Sequence, residues 1–263
     1  MEDIIRISFF LGLLLVIILW EIVVPRRQLS YTRQRRWLTN ISLSILNTLL
    51  VRFSLGATAF ITATAAFEHG WGLLNIVLLP SYLSVIITIV LLDLAIYGQH
   101  VASHHWSWLW RLHKVHHTDL DFDVSTAVRF HPAEIILSMV YKVVCIALLG
   151  ADPIAVIAFE IILSSSALFN HSNISIPQKV DAVIRLFIVT PDMHRVHHSI
   201  IRSETDSNYG SSLSVWDRLF SCYTAQPKAG HINMIIGLAE YQKMDDISLK
   251  RLLVLPLKSG RDL

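Results

Sequence analysis

Histidines are the residues of this chain whose spacing points most directly to chemistry. Seven of the 13 histidines lie between Leu92 and Pro132. Three clusters stand out, an HxxxH pair and two HxxHH groups: His100 and His104; His113, His116 and His117; and His194, His197 and His198. Residues three or four apart share a helix face, so the imidazoles of such a pair can reach one ion. Eight clustered histidines exceed the needs of one tetrahedral ion, and the count therefore predicts two metal ions.

Isolated histidines are more simply explained as hydrogen-bonded structural residues. We assign His69 and His231 to this group because neither has a histidine partner at helical spacing. His105 directly follows His104, which directs it to another helix face, and we exclude it as a ligand. The repeated i, i+3 and i, i+4 pairs have no comparable packing rationale.

The composition is typical of a membrane protein. Hydrophobic residues make up 53% of the 263 residues and charged residues 16%, and the mean hydropathy is +0.52. A formal charge of +2 gives no reason to expect a nucleic-acid partner, and two cysteines without a CxxC motif do not form a thiolate metal site. Five apolar segments predict an all-α integral membrane bundle: Ile7–Val24, Ile41–Phe67, Tyr82–Gln99, Glu134–Gly150 and Ile154–Leu168.

The charges around these segments predict how the bundle is oriented. Five arginines follow the first segment, namely Arg26, Arg27, Arg33, Arg35 and Arg36. Because Lys and Arg are retained in the cytoplasm, we expect an uncleaved first helix with its N-terminus outside. The turn signal Gly150 to Pro153 predicts that residues 134–168 form a helical hairpin that dips into or crosses the membrane. All histidine clusters would then meet in a cytoplasmic cap.

The chain accordingly divides into three predicted regions. Residues 1–99 form N-terminal transmembrane helices, residues 100–223 a histidine-rich catalytic region that includes the hairpin, and residues 224–263 a cytoplasmic tail. Trp106, Trp108 and Trp110 follow the third apolar segment. They are consistent either with an aromatic belt at the membrane interface or with the wall of an apolar substrate pocket.

Several catalytic motifs are missing from the sequence, and their absence reduces the number of reactions to consider. The sequence has no ExxH motif of ferritin-like di-iron proteins, no HExxH with its general-base glutamate and no GxSxG nucleophile elbow. Oxygen chemistry at two histidine-bound ions is therefore favoured over hydrolysis. A membrane zinc-dependent hydrolase or lyase remains the alternative. A metal transporter would place ligands within the bilayer rather than at one edge.

Several longer motifs resemble a known family. The run DLAIYGQHVASHHWSWLWRLHKVHHTD, with STAVRFHPAE, LFNHSNISIP, VTPDMHRVHHS and ETDSNYGSSLSVWDRLF, resembles the fatty acid hydroxylase and sterol desaturase superfamily, especially its bacterial members and the alkylglycerol monooxygenase branch. The resemblance implies an inner-membrane di-iron enzyme with two Fe ions and O2 as co-substrate. Such an enzyme hydroxylates or desaturates a sterol, fatty acyl or ether lipid. No GxGxxG motif is present, so a ferredoxin, b-type cytochrome or reductase would supply electrons.

The same resemblance implies the site residues. The expected metal ligands are the eight clustered histidines and one more in the F-x-H segment: His100, His104, His113, His116, His117, His171, His194, His197 and His198. Four further residues are candidates to support these ligands through hydrogen bonds: Asp93, His131, Asp192 and Asn208. Helix capping, or pairing with Arg52 or Arg195, is the alternative role for Asp93, Asp192 and Asn208, and metal ligation is the alternative role for His131.

Overall fold

The computed structural model describes residues 2–55, 58–77 and 79–258. Fourteen α-helices are formed by these residues: α1 (Glu2–Val23), α2 (Arg33–Ser54), α3 (Thr58–His69), α4 (Leu73–Ile76), α5 (Ser81–His105), α6 (Ser107–His117), α7 (Pro132–Leu149), α8 (Pro153–Asn170), α9 (Gln178–Ile184), α10 (Pro191–His197), α11 (Arg202–Thr205), α12 (Val215–Leu219), α13 (Gly230–Asn233) and α14 (Leu249–Val254). Within the described ranges, β-structure is limited to three isolated bridges. The predicted all-α bundle is confirmed.

In the part of the chain that the structure describes, five helical stretches are long and apolar enough to cross a membrane: Ile4–Val23, Arg33–Ile76, Ser81–His105, Pro132–Leu149 and Pro153–Asn170. Four of them coincide with predicted segments. The second differs, because the apolar segment 41–67 is divided between α2 and α3. In addition, α2 begins eight residues earlier than predicted, since the polar residues Arg36 and Asn40 are buried against the histidine-bearing cap and need not face lipid.

The ends of the long helices meet at one end of the bundle. Glu21, near the end of α1, accepts hydrogen bonds from the backbone of Val124 (2.8 Å) and of Asn173 (2.7 Å), which follows α8. Arg36, in the first turns of α2, pairs with Asp119 at 2.7 Å. The C-terminal turns of α5 carry His100 and His104 to the same end. The histidine clusters therefore lie together, and we call this the histidine end.

The predicted helical pair α7 and α8 is present, joined by a short turn. Gly150 ends α7 with a left-handed backbone (φ 63°), and Asp152 caps α8 by accepting from the backbone of Ile154 at 2.7 Å. Pro153 occupies the first helical position. Both α3 and α5 pack against each of the two helices, so α7 and α8 are part of the bundle and not a separate hairpin.

The turn after α7 forms a close backbone contact at the end of the bundle away from the histidines. Gly72 and Gly150 approach so closely that a Cβ on Gly150 would lie 2.2 Å from the carbonyl oxygen of Trp71. Asn75 donates from its amide to the oxygens of Trp71 (2.6 Å) and Gly150 (3.2 Å). This contact requires glycine for both space and positive φ.

Residues 224–258 do not form a separate tail. The backbone N–H of Gly237 donates to the oxygen of His198 at 3.0 Å, and Leu252 and Leu255 pack with Leu43 of α2 and Val115 of α6. The C-terminal segment therefore closes over the histidine-bearing helices and shields them from solvent.

Gly150→Ala is expected to lower the free energy of unfolding by about 1 kcal/mol or more, because alanine is strained at this φ and its methyl group collides with Trp71. Gly12→Ala is the control, since a Cβ at this position in α1 meets no atom within 4 Å. Thermal unfolding in detergent should show a lower midpoint for Gly150→Ala and an equal or higher one for Gly12→Ala. Equal midpoints for both variants would contradict the close contact.

Candidate metal centre

Four elements carry the candidate ligands to the histidine end. The last two turns of α5 supply His100 and His104, and α6 supplies its three histidines after a sharp change of direction at Trp106 (φ −97°, ψ 117°). His171 is the residue that follows α8. The short, fully buried helix α10 begins at Pro191 behind an N-cap formed by Thr190, and its end carries the third histidine cluster.

The nine predicted ligands form two groups that can each hold one metal ion. Within each group, one nitrogen of every ring lies within 4.8 Å of all the others. The first group is His100, His104, His113, His117 and His197; the second is His116, His171, His194 and His198. The groups adjoin, with 4.5 Å between the ring centroids of His117 and His198.

Each HxxHH cluster is divided between the two groups. His113 and His117, four residues apart, share the first group, whereas His116 belongs to the second. On α10, His194 and His198 are four residues apart and share the second group, whereas His197 belongs to the first. A step of four residues slightly exceeds one helical turn and a step of three falls short of it, so the two positions lie on opposite sides of the first residue and about 100° apart. Each of the two short helices thus contributes to both groups.

Most of the rings are fixed through their Nδ1 atoms by acceptors from the protein. Two bond to carboxylates, His113 to Glu134 at 2.6 Å and His104 to Asp206 at 3.3 Å. Four bond to backbone oxygens: His100 to Tyr209 (2.7 Å), His116 to Arg129 (3.1 Å), His171 to Ala167 (2.8 Å) and His197 to Ser207 (2.7 Å). Because a backbone oxygen can only accept, these four Nδ1 atoms carry hydrogen.

The Nε2 atoms of these rings approach each other without a hydrogen to share. His100 and His197 lie 3.0 Å apart, Nε2 to Nε2, and so do His116 and His171. Each of these neutral rings already has its hydrogen on Nδ1, so two lone pairs face each other in each pair. The separation also suits two nitrogens that share an ion at a metal–nitrogen distance of about 2.1 Å. The first pair belongs to one group and the second pair to the other.

Burial keeps six of the candidate ligands neutral by lowering their pKa values. It lowers the pKa of His171 to about 4 and that of His197 to about 3, and the neighbouring imidazoles add to the effect. The pKa values of four more histidines are lowered well below the ordinary value for the same reasons, namely His116, His117, His194 and His198. Neutral imidazole is the form that binds a metal ion. The donor set of nitrogen atoms suits iron, zinc or copper.

A buried ionic network holds α6 against α2. Asp119 accepts from Arg36 (2.7 and 2.9 Å), Asn40 (3.0 Å) and Thr126 (2.8 Å). Burial alone would raise the pKa of Asp119, yet Arg36 and Arg129 hold it well below its usual range. Arg129 donates to Asn40 at 2.7 Å, and its own backbone oxygen receives His116. The orientation of that imidazole therefore depends on this network.

The four residues predicted to support the ligands bind elsewhere. Asp93 accepts from the Trp216 indole at 2.8 Å, His131 caps α7 through the backbone of Ala133, and Asp192 pairs with Arg26 and Arg195. Asn208 donates to the backbone oxygens of Met193 (2.9 Å) and Thr224 (2.8 Å). The pair of Asp192 and Arg195 is the alternative that the sequence left open, and the contacts of all four residues position helices that carry ligands.

The groups that do contact the rings were missed from the sequence. Glu134 is 21 positions from His113, and only the return of the chain into α7 brings the two together. Its place in the first turn of an apolar helix, directly after the RFHP motif, is the one signal that the sequence offers. Backbone oxygens have no side-chain signature at all, so the partners of four rings could not be inferred.

The three tryptophans have different environments. Trp106 and Trp108 are 57% and 55% exposed and stack on each other at 6.4 Å, which agrees with an interfacial belt. Trp110 is buried, and its ring lies 5.0 Å from His104 and 5.5 Å from His117. Trp110 therefore forms a wall of the first histidine group.

A cavity of about 360 Å³ leads from the histidines into the helix bundle. Five of the imidazoles line one part of it: His100, His113, His116, His171 and His194. Apolar side chains line much of the remainder: Ile96, Phe130, Ile135, Leu163 and Ala167. The cavity is therefore largely apolar and reaches both histidine groups.

The family model and the relatives that match this chain are all named as hydroxylases or monooxygenases. A family model described as fatty acid hydroxylase matches residues 85–222, just over half of the chain. The ornithine lipid hydroxylase OlsE of Rhizobium tropici is 27% identical over 57% of this chain and 44% of its own length. The alkylglycerol monooxygenase of Homo sapiens is 26% identical over 51% of this chain and 29% of its own length. The cholesterol 25-hydroxylase of Rattus norvegicus is 23% identical over 54% of this chain and 47% of its own length. The matches thus cover less than half of each relative. No solved structure matches the chain.

Glu134→Gln is expected to weaken metal binding roughly tenfold or more, because the carboxylate that orients His113 and increases its basicity is lost. Anaerobic titration with Fe(II) against a competing chelator measures the effect. Glu240→Gln is the matched control, since Glu240 is exposed. Equal affinities in the two variants would show that Glu134 does not support a metal ligand.

Proposed function

The chain belongs to the fatty acid hydroxylase family, and from that premise we propose that it is a membrane-bound, non-haem di-iron oxygenase that hydroxylates a C–H bond of a lipid. In this proposal residues 100–223 form the catalytic region. The five-histidine group holds one iron and the four-histidine group the other.

The opposed Nε2 atoms are the observation that carries the proposal. Each group contains one pair of bare nitrogens 3.0 Å apart, in an interior where protonation is disfavoured. A cation between the two nitrogens turns this repulsion into coordination. One such pair in each group supports two ions rather than one.

Iron is favoured over zinc because the similar proteins are named for oxygen insertion. All three relatives described above are hydroxylases or monooxygenases, and oxygen insertion requires a metal that changes oxidation state. The donor set alone also suits zinc. The same names favour hydroxylation over desaturation.

The reaction is balanced by an external reductant. Bound iron supplies the chemistry by which one atom of O2 enters the C–H bond and the other leaves as water, with two electrons and two protons consumed. The side chains hold the rings in place through Nδ1 and keep Nε2 free of hydrogen. The apolar wall of the cavity positions an alkyl chain and excludes water.

We further propose that the histidine end faces the cytoplasm and that the N-terminus is outside. The arginines that follow α1 support this orientation, because Arg26 and Arg36 bind Asp192 and Asp119 at the histidine end. A ferredoxin, a b-type cytochrome or a reductase would then deliver electrons from the cytoplasm of a bacterial cell.

Incubation with 18O2, an electron-donor system and bacterial lipid extract is expected to yield a lipid that has gained one 18O atom. His198→Ala should abolish this product and lower the iron content from about two ions toward one, because its group keeps only three histidines. His104→Ala leaves four histidines in its group and should retain more iron. Mass spectrometry and metal analysis provide the two measurements.

The control for these variants is His69→Ala, in which an exposed histidine distant from both groups is removed. It should keep the iron and the product of the unmodified protein. Iron-loaded protein that incorporates no 18O from any lipid fraction would contradict the proposal, as would full iron and product in folded His198→Ala protein.

A further inference from the structure

A cluster of three charged side chains joins three of the membrane-spanning helices through ion pairs. Glu160 of α8 binds Lys142 of α7 through one carboxylate oxygen at 2.5 Å and Arg6 of α1 through the other at 2.9 Å. The side chain of Glu160 is 6% exposed and that of Lys142 12%. We call these three residues the charged triad.

The triad carries an excess of positive charge. Both oxygens of Glu160 are occupied by the two cations, whereas the ammonium and guanidinium groups have further N–H donors. Among the described side chains, Glu160 is the carboxylate with which the structure pairs both cations. Charges within a bilayer are costly and are retained mainly where they bind something. An excess positive charge therefore favours an anionic ligand.

The triad lines the same cavity as the histidines. Arg6, Lys142 and Glu160 form part of its wall, and His116 and His171 another part. At a rise of 1.5 Å per residue, Lys142 lies about 15 Å along α7 from Pro132, at the histidine end. Glu160 lies about the same distance from the end of α8. The triad and the histidines thus line separate parts of one cavity.

A second cavity adjoins two members of the triad, Arg6 and Glu160. Its volume is about 720 Å³, and it also shares Phe130 with the first cavity. Residues of α1 and α2, among them Phe10 and Val51, line much of the remainder. A lipid whose polar group lies at the triad can therefore extend one chain toward the histidines and place its remaining part in the second cavity.

We propose that the charged triad binds the anionic group of the lipid substrate, a carboxylate or a phosphate, and so selects acidic lipids over neutral ones. This inference rests on the proposed function, because only that function makes the bound lipid a substrate. It also implies that the oxidised carbon lies well along the alkyl chain, about 15 Å from the anionic group.

Equilibrium binding tests this selection without any turnover. The probes are radiolabelled palmitate, a phosphatidylglycerol and the neutral hexadecanol, each titrated into the purified full-length protein in a non-ionic detergent. We expect palmitate, phosphatidylglycerol or both to bind more tightly than hexadecanol. The tighter of the two acidic probes identifies the anionic group as a carboxylate or a phosphate.

Two substitutions shift the charge of the triad in opposite directions. Lys142→Met should weaken binding of the acidic probe roughly tenfold, and Glu160→Gln should strengthen it, because Coulomb attraction depends on the net charge near the ligand. Hexadecanol binding should change less than about twofold in both variants. Lys250→Met, which removes an exposed lysine, should leave all affinities unchanged. A variant is folded if it elutes as a single species and keeps its iron content. One folded variant of the triad is sufficient for the test.

Equal binding of hexadecanol and the acidic probes would overturn the inference, as would acidic-probe affinities that do not respond to either substitution. These outcomes are separable from failure of the proposed function. Charge-dependent binding without 18O incorporation would leave the acidic-lipid site in place and remove the oxygenase. Incorporation of 18O together with charge-independent binding would leave the oxygenase in place and remove the acidic-lipid site.

Discussion

The approach of unprotonated imidazole nitrogens is the interaction on which the rest of the structure depends. Four rings have their hydrogens fixed on Nδ1 by backbone oxygens, and their Nε2 lone pairs oppose each other at 3.0 Å in two places. Burial prevents protonation from relieving this repulsion, as the low pKa values of His171 and His197 indicate. Metal coordination relieves it in the way that fits the geometry best.

The fold holds this unfavourable arrangement in place from outside the rings. The network of Arg36, Asp119 and Arg129 fastens α6 to α2, and Glu134 fastens α6 to α7. The C-terminal segment covers the back of α10 through the bond from Gly237 to His198. These buried contacts come from the protein itself and fix the orientation of the rings, as an efficient catalytic site requires.

Much of this could be predicted from the sequence. Periodic histidines and long apolar segments are local patterns, and they predicted eight of the rings, the all-α bundle and the turn before Pro153, whereas His171 was predicted from the family resemblance. The division of each HxxHH cluster between two groups could not be predicted, because it depends on how α6 and α10 face each other. The contact of Glu134 with His113 also depends on tertiary packing. The charged triad brings together residues from three helices that are distant in sequence.

Mössbauer spectroscopy of protein produced in iron-57 medium and purified anaerobically tests the central claim most directly. Two irons per chain in a magnetically coupled pair, each in a nitrogen-rich environment, are predicted, because the two histidine groups adjoin. A single zinc ion per chain, with iron absent even when it is supplied, would contradict the account and favour a zinc-dependent hydrolase.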